Sequence, residues 1–131
     1  MFAPEIRILV VDDMKTMRKI VMKSLKTLGF SDFIEAEDGA KAWEQLNNSE
    51  SKVGLIVSDW NMPNCTGLDF LKRVRANATY KETPFVLLTA ESELDQVREA
   101  VASGVDNYIV KPFSADILGK KLEVAHKKRF A

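Results

Sequence analysis

Branched apolar residues gather in five short runs, and between them apolar residues recur every three or four positions. The first run, Ile6–Val11, is broken only by Arg7 and reads as a strand buried on both faces. Met17, Ile20, Val21, Leu25 and Leu28 follow at helical spacing, with Gly29 placed to close the helix. Phe33–Ala36 is a short second strand. Asp38 is positioned to cap a helix running through Leu46, with Trp43 on its apolar side. Gly54–Ser58 is the third strand. Thr66, with Asp69 three residues on, forms a capping pair ahead of Leu68, Leu71 and Val74. Phe85–Leu88 is the fourth strand. Ser92-Glu93-Leu94-Asp95 repeats the capping pattern, Leu94, Val97 and Val101 keep helical spacing, and Gly104 ends that helix. Asn107–Val110 is the fifth strand. Ser114 caps a last helix that carries Ile117, Leu118, Leu122 and Ala125 and ends in Lys127-Lys128-Arg129, cations suited to the negative helix pole.

Strict alternation of strand and helix predicts an α/β fold, a doubly wound five-stranded parallel sheet with helices on both faces. In such sheets ligands sit beyond the carboxyl ends of the strands. The sequence is informative at that edge. Strand one runs into Asp12-Asp13, strand three into Asp59, strand four into Thr89 and strand five into Lys111.

Composition narrows the classes. The chain has 131 residues, of which 46% are hydrophobic, about one ordinary domain. Nineteen cations balance nineteen acids, so charge gives no case for nucleic-acid binding. No apolar run is long enough for a membrane span, and no secretory signal opens the chain. Cys65, the single cysteine, has no partner for a disulfide or a zinc site. A soluble, cytoplasmic protein follows.

Three converging carboxylates repel one another, and a divalent cation resolves the conflict. Carboxylate oxygens favour magnesium, manganese or calcium over zinc, and an open site that leaves room for water and phosphate suits magnesium. A lysine ammonium and a threonine hydroxyl beside the cation can hold phosphoryl oxygens. A carboxylate can attack phosphorus, and phosphoryl transfer needs mostly positioning and charge neutralisation. Asp59, standing singly, is the better nucleophile; the Asp12-Asp13 pair is arranged for metal. Taken one at a time these residues have plainer readings: Asp13 as a helix N-cap, Thr89 as a turn hydroxyl, Lys111 as a solvated charge, Trp60 and Tyr108 as half-buried packing, His126 as a solvated helix-end residue. Their coincidence on one edge favours the chemical reading.

The motifs VVDD at 10–13, TMRKIV at 16–21, LGF at 28–30, EAEDG at 35–39, SDWNMPN at 58–64, LTAE at 88–91 and YIVKPF at 108–113 resemble the receiver domains of two-component response regulators, and among these the stand-alone chemotaxis members. The resemblance implies a flavodoxin-like sheet of order 2-1-3-4-5 and a single receiver domain over 1–131 with no separate output domain. It implies that Asp59 is the phosphoacceptor and that Asp13, Asp59 and the backbone carbonyl of Asn61 bind Mg2+, with Asp12 reaching it through water. Thr89 and Lys111 would hold the phosphoryl group. Thr89 and Tyr108 would switch the face formed by the fourth helix, fifth strand and fifth helix. Asn61 and Glu91 would tune dephosphorylation. The implied partners of this monomer are a histidine kinase of the chemotaxis type, a flagellar motor switch protein and a phosphatase. The implied protein is not an enzyme acting on a separate substrate, but it catalyses its own phosphorylation and autodephosphorylation. The resemblance also implies a cis Lys111-Pro112 peptide, where an X-Pro bond makes that isomer accessible. Two positions depart from the family pattern: Cys65-Thr66 precedes Gly67-Leu68 where an acid is common, and Met14 stands where chemotaxis members usually carry an aromatic residue.

Other readings have their own signatures. A phosphorelay intermediate or phosphate sink would share the site without motor-switch binding. An aspartyl-nucleophile hydrolase usually needs Asp-x-Asp on the first strand, and here the two acids are adjacent. A flavin-binding protein needs a Ser/Thr-rich phosphate loop after strand one, where this chain places acids.

Overall fold

The computed structural model describes residues 2–48, 52–90 and 96–130. In chain order the elements are β1 (Arg7–Val11), α1 (Lys15–Thr27), β2 (Asp32–Ala36), α2 (Gly39–Asn48), β3 (Val53–Asp59), α3 (Gly67–Arg75), β4 (Phe85–Thr89), α4 (Val97–Ala102), β5 (Asn107–Val110) and α5 (Ala115–Phe130). The strands form one sheet of order β2-β1-β3-β4-β5, parallel at every pairing. This is the predicted architecture.

The two-residue period of the strands divides the core. Ile8, Val10, Leu55, Val57, Val86, Leu88 and Ile109 face α1 and α5, meeting Val21, Leu25, Leu118 and Leu122. Leu9, Val11, Ile56, Phe85 and Leu87 face the other way, against Ala42 and Leu46 of α2, Phe70, Leu71 and Val74 of α3 and Ala100 of α4. Burial on both faces explains why these strands read as continuous apolar runs.

The local signals act as the residue chemistry requires. Thr66 Oγ1 accepts the Asp69 amide at 3.1 Å, Asp38 Oδ1 accepts that of Lys41 at 2.8 Å and Ser114 Oγ that of Ile117 at 3.2 Å. Gly29 (φ +102°) and Gly104 (φ +96°) close α1 and α4 in the left-handed region, where a side chain would be strained. The capping pair expected at 92–95 lies outside the described residues.

Two expectations change. His126 is half-buried at the end of α5 rather than simply solvated: its ring packs edge-on against Phe2 at 4.8 Å between centroids and tilted against Phe130 at 4.9 Å. The basic end of α5 does more than face a helix pole. Arg129 Nη2 lies 2.8 Å from Asp106 Oδ1, and Arg75 Nη2 lies 3.0 Å from Asp106 Oδ2. The Asp106 side chain is wholly buried and also accepts the Phe85 amide at 2.8 Å. These ionic bonds fasten α3 and α5 to the starts of β4 and β5, at the amino edge of the sheet.

Candidate functional site

At the carboxyl edge β1 and β3 deliver their acids to one place. Asp12, Asp13 and Asp59 each offer an oxygen, and these oxygens lie within 4.8 Å of one another. Asp12 and Asp59 are buried, whereas Asp13 is exposed. The buried Asp12 lines the floor of the cluster and the exposed Asp13 its rim. Asp13 does not cap α1. The N-cap is Met14, without a side-chain bond, and it is Asp12 Oδ1 that accepts the Met14 amide at 2.9 Å.

The second oxygen of Asp12 is buried and has no hydrogen-bond partner. The ammonium of Lys111 stands 3.6 Å from it and 2.6 Å from Asp59 Oδ1. Burial, reinforced by the charges of Asp59 and Asp13, pushes the Asp12 carboxyl up to about 6, against the opposing pull of the Met14 amide and Lys111. An orphaned carboxylate oxygen, two acid neighbours and an open rim fit a hard divalent cation, which would satisfy that oxygen and remove the repulsion. A cluster of oxygen donors without nitrogen or sulfur suits that ion class.

Lys111 is placed by β5, its amide donating to the Thr89 carbonyl at 2.8 Å, and the Lys111-Pro112 peptide is cis as expected. Thr89 closes β4 in the register that pairs Asp59 with Leu88, one residue short of it. Its buried hydroxyl donates to the Ala90 carbonyl at 3.1 Å, so it shares the edge while bonding within its own strand end. Asn61 is exposed on the loop that follows Trp60. Tyr108 lies on β5, half-buried, with Lys121 Nζ 5.4 Å from its ring centroid. Glu91 lies outside the described residues. Trp60 is fully packed rather than half-buried.

The turn out of β3 is held by backbone bonds. The Trp60 amide donates to Leu88 O at 3.0 Å and the Gly67 amide to Trp60 O at 2.9 Å. A Cβ on Gly67 would overlap the Asp59 carbonyl, so α3 can start this close to the acid only on a glycine. Arg18 Nη1 donates to the Asp12 carbonyl, and Asn64, on the loop beyond Asp59, donates to Asp38 Oδ2; periodicity marks neither. Arg18 falls inside the helical pattern of α1, and Asn64 lies between β3 and α3.

The cluster can thus hold a hard cation beside a carboxylate, Asp59, that is flanked by an ammonium. That is the arrangement a carboxylate nucleophile toward phosphorus needs. Among the described residues no helix is long and apolar enough to cross a membrane.

Comparison with known proteins places this geometry. The family profile described as the response regulator receiver domain matches residues 8–123. The chain is 47% identical over 119 residues to chemotaxis protein CheY1 of Helicobacter pylori (strain ATCC 700392 / 26695), covering 90% of this chain and 94% of that one. It is 44% identical over 117 residues to chemotaxis protein CheY of Pseudomonas aeruginosa, covering 89% and 93%. The high-resolution structure of the chemotaxis response regulator CheY4 of Vibrio cholerae superposes with a TM-score of 0.82 at 34% identity, over 92% of this chain and 98% of that one. The chain belongs to the response regulator receiver domain family.

Proposed function

We propose that the protein is a chemotaxis response regulator, a phosphorylation switch that accepts a phosphoryl group on Asp59 and passes the signal by binding another protein. The observation that supports this best is the placement of Asp59, 2.6 Å from the Lys111 ammonium and with an oxygen within 4.8 Å of oxygens of Asp12 and Asp13.

Magnesium, when bound, supplies positive charge to the carboxylates and to the equatorial oxygens of the transferring group. Asp13, Asp59 and the Asn61 backbone carbonyl would hold it, with Asp12 reaching it through water. An Asp59 oxygen attacks the phosphorus of a phosphohistidine on a chemotaxis-type histidine kinase. The new O–P bond forms as the N–P bond breaks, and the electron pair leaves with the imidazole, which takes up a proton. Lys111 follows the charge from the carboxylate to the phosphoryl oxygens. The Thr89 hydroxyl turns from Ala90 to the same oxygens. Tyr108 then changes rotamer and alters the face formed by α4, β5 and α5. Water later cleaves the acyl phosphate to inorganic phosphate and the free carboxylate. Asn61 and Glu91 set that rate or admit a phosphatase. The protein acts in the cytoplasm as a monomer, residues 1–131 form one receiver domain, and its output partner is a flagellar motor switch protein.

The reading is tested by titrating a motor-switch peptide into the protein with and without a phosphoryl mimic and magnesium. Tighter binding in the presence of the mimic is expected. Equal binding in both states would turn the assignment to a phosphorelay intermediate or phosphate sink.

A further inference from the structure

The stretch Glu35-Ala36-Glu37-Asp38-Gly39 runs from the end of β2 into the start of α2 and contributes no acid to the cluster. Both ligand-bearing loops are nevertheless fastened to it. On one side, Arg18 Nη1 donates to the Asp12 carbonyl at 2.7 Å while its Nε donates to Glu35 Oε1 at 2.9 Å. The Asp12 amide donates to Ala36 O at 3.1 Å. The peptide groups on either side of the Asp12 Cα are thus both held from β2, one directly and one through Arg18, whose side chain is 14% exposed. On the other side, Asn64 Nδ2 donates to Asp38 Oδ2 at 3.2 Å and the Gly39 amide to Cys65 O at 3.2 Å. A Cβ on Gly39 would overlap the Cys65 sulfur, so the two loops meet this closely because residue 39 is glycine.

We propose that residues 35–39, with Arg18 and Asn64 as their arms, are the positioning element of the cation site: Glu35 and Arg18 set the Asp12-Asp13 loop, and Asp38 and Asn64 set the loop beyond Asp59. The inference rests on the reading that this cluster holds magnesium. Its physical basis is that the arms grip backbone and loop atoms rather than ligand oxygens. A carbonyl that swings carries its carboxylate with it, and a small ion at short, fixed ligand distances tolerates little displacement. The planar guanidinium makes two bonds in fixed directions, which an ammonium cannot reproduce.

The same two strands provide a control. Arg7 Nε lies 3.2 Å from Asp32 Oδ2, a cross-strand pair between β1 and β2 at the far end from the acids. Magnesium is titrated calorimetrically into the full chain and into Arg18→Lys, Asp38→Ser and Asp32→Asn, with metal-free melting temperatures measured alongside. Asp38→Ser keeps an N-cap oxygen for α2 but removes the acceptor of Asn64. Arg18→Lys and Asp38→Ser are each expected to weaken magnesium binding about tenfold, the lower end of what losing an outer partner of a metal ligand costs. Asp32→Asn is expected to bind as wild type whatever its melting temperature. Unchanged binding in both Arg18→Lys and Asp38→Ser, or an equal loss in Asp32→Asn, overturns the inference while the metal reading stands. A wild-type chain that binds no magnesium overturns both.

Discussion

The Lys111 ammonium lies 2.6 Å from Asp59 Oδ1 and 3.6 Å from Asp12 Oδ2, so one cation from β5 bridges acids from β3 and β1. Removing it leaves two carboxylates facing each other in a largely buried floor. Lys111→Met is expected to cost the metal-free protein about 2 kcal/mol, the scale of a hydrogen bond to a charged group. Magnesium should recover most of that loss, because a divalent cation neutralises the same acids. Urea unfolding with and without magnesium checks both halves.

The Asp12 carboxyl titrates near 6 in the folded protein, raised chiefly by burial, against an ordinary value of 3.8. A folded value above the unfolded one means that the native state holds its proton more tightly. The resulting stabilisation is present below about pH 3.8 and is lost as pH rises through about 6. In a chelator, stability from this group therefore falls between pH 4 and pH 6. Saturating magnesium, which binds the ionised form, should remove the fall. Asp12→Asn should abolish it and raise the metal-free melting temperature at neutral pH. Thermal melts across that range, with and without magnesium, read the effect.

Asp106 is the anchor of the opposite edge. Asp106→Ala leaves the Arg75 guanidinium without its carboxylate and the Phe85 amide without its acceptor. Loss of one partner of a buried pair costs about 3–5 kcal/mol. Magnesium affinity should not change, since the pair lies across the sheet from the acids. Denaturant unfolding and a magnesium titration on the same variant separate the two.

Gly67→Ala drives a methyl into the Asp59 carbonyl. Backbone cannot yield as a flexible side chain does, so α3 or the end of β3 must shift. A loss of about 1–3 kcal/mol is expected, the range for overpacking. Weakened magnesium binding should accompany it, which calorimetry would show.

The carboxyl edge was legible in the sequence because that edge is built from strand ends. Each apolar run stops at a polar residue, and a parallel sheet brings all those stops to one side, so Asp12, Asp13, Asp59, Thr89 and Lys111 could be assembled without coordinates. Caps were legible for a similar reason: Thr66, Asp38 and Ser114 act on amides three residues away, within the reach of local pattern. Long-range polar contacts left no such trace. Arg75, Asp106 and Arg129 are separated by 31 and 23 positions, and nothing in the spacing of three charges says that they meet in a buried knot. Arg18 occupies a helical position that looks solvent-facing, yet its length carries the guanidinium back to the Asp12 carbonyl. His126 depended on the N-terminal Phe2 folding over α5, a contact between chain ends that no periodicity encodes.

The most direct test of the central claim is the mass of the protein after incubation with magnesium and a small phosphodonor such as acetyl phosphate, followed by mapping of the modified residue. Wild type should gain one phosphoryl group, placed on Asp59 and lost again by hydrolysis, and Asp59→Ala should gain none. A variant lacking the Asp59 carboxylate that is phosphorylated as readily as wild type, or a wild-type chain modified elsewhere, would contradict the account.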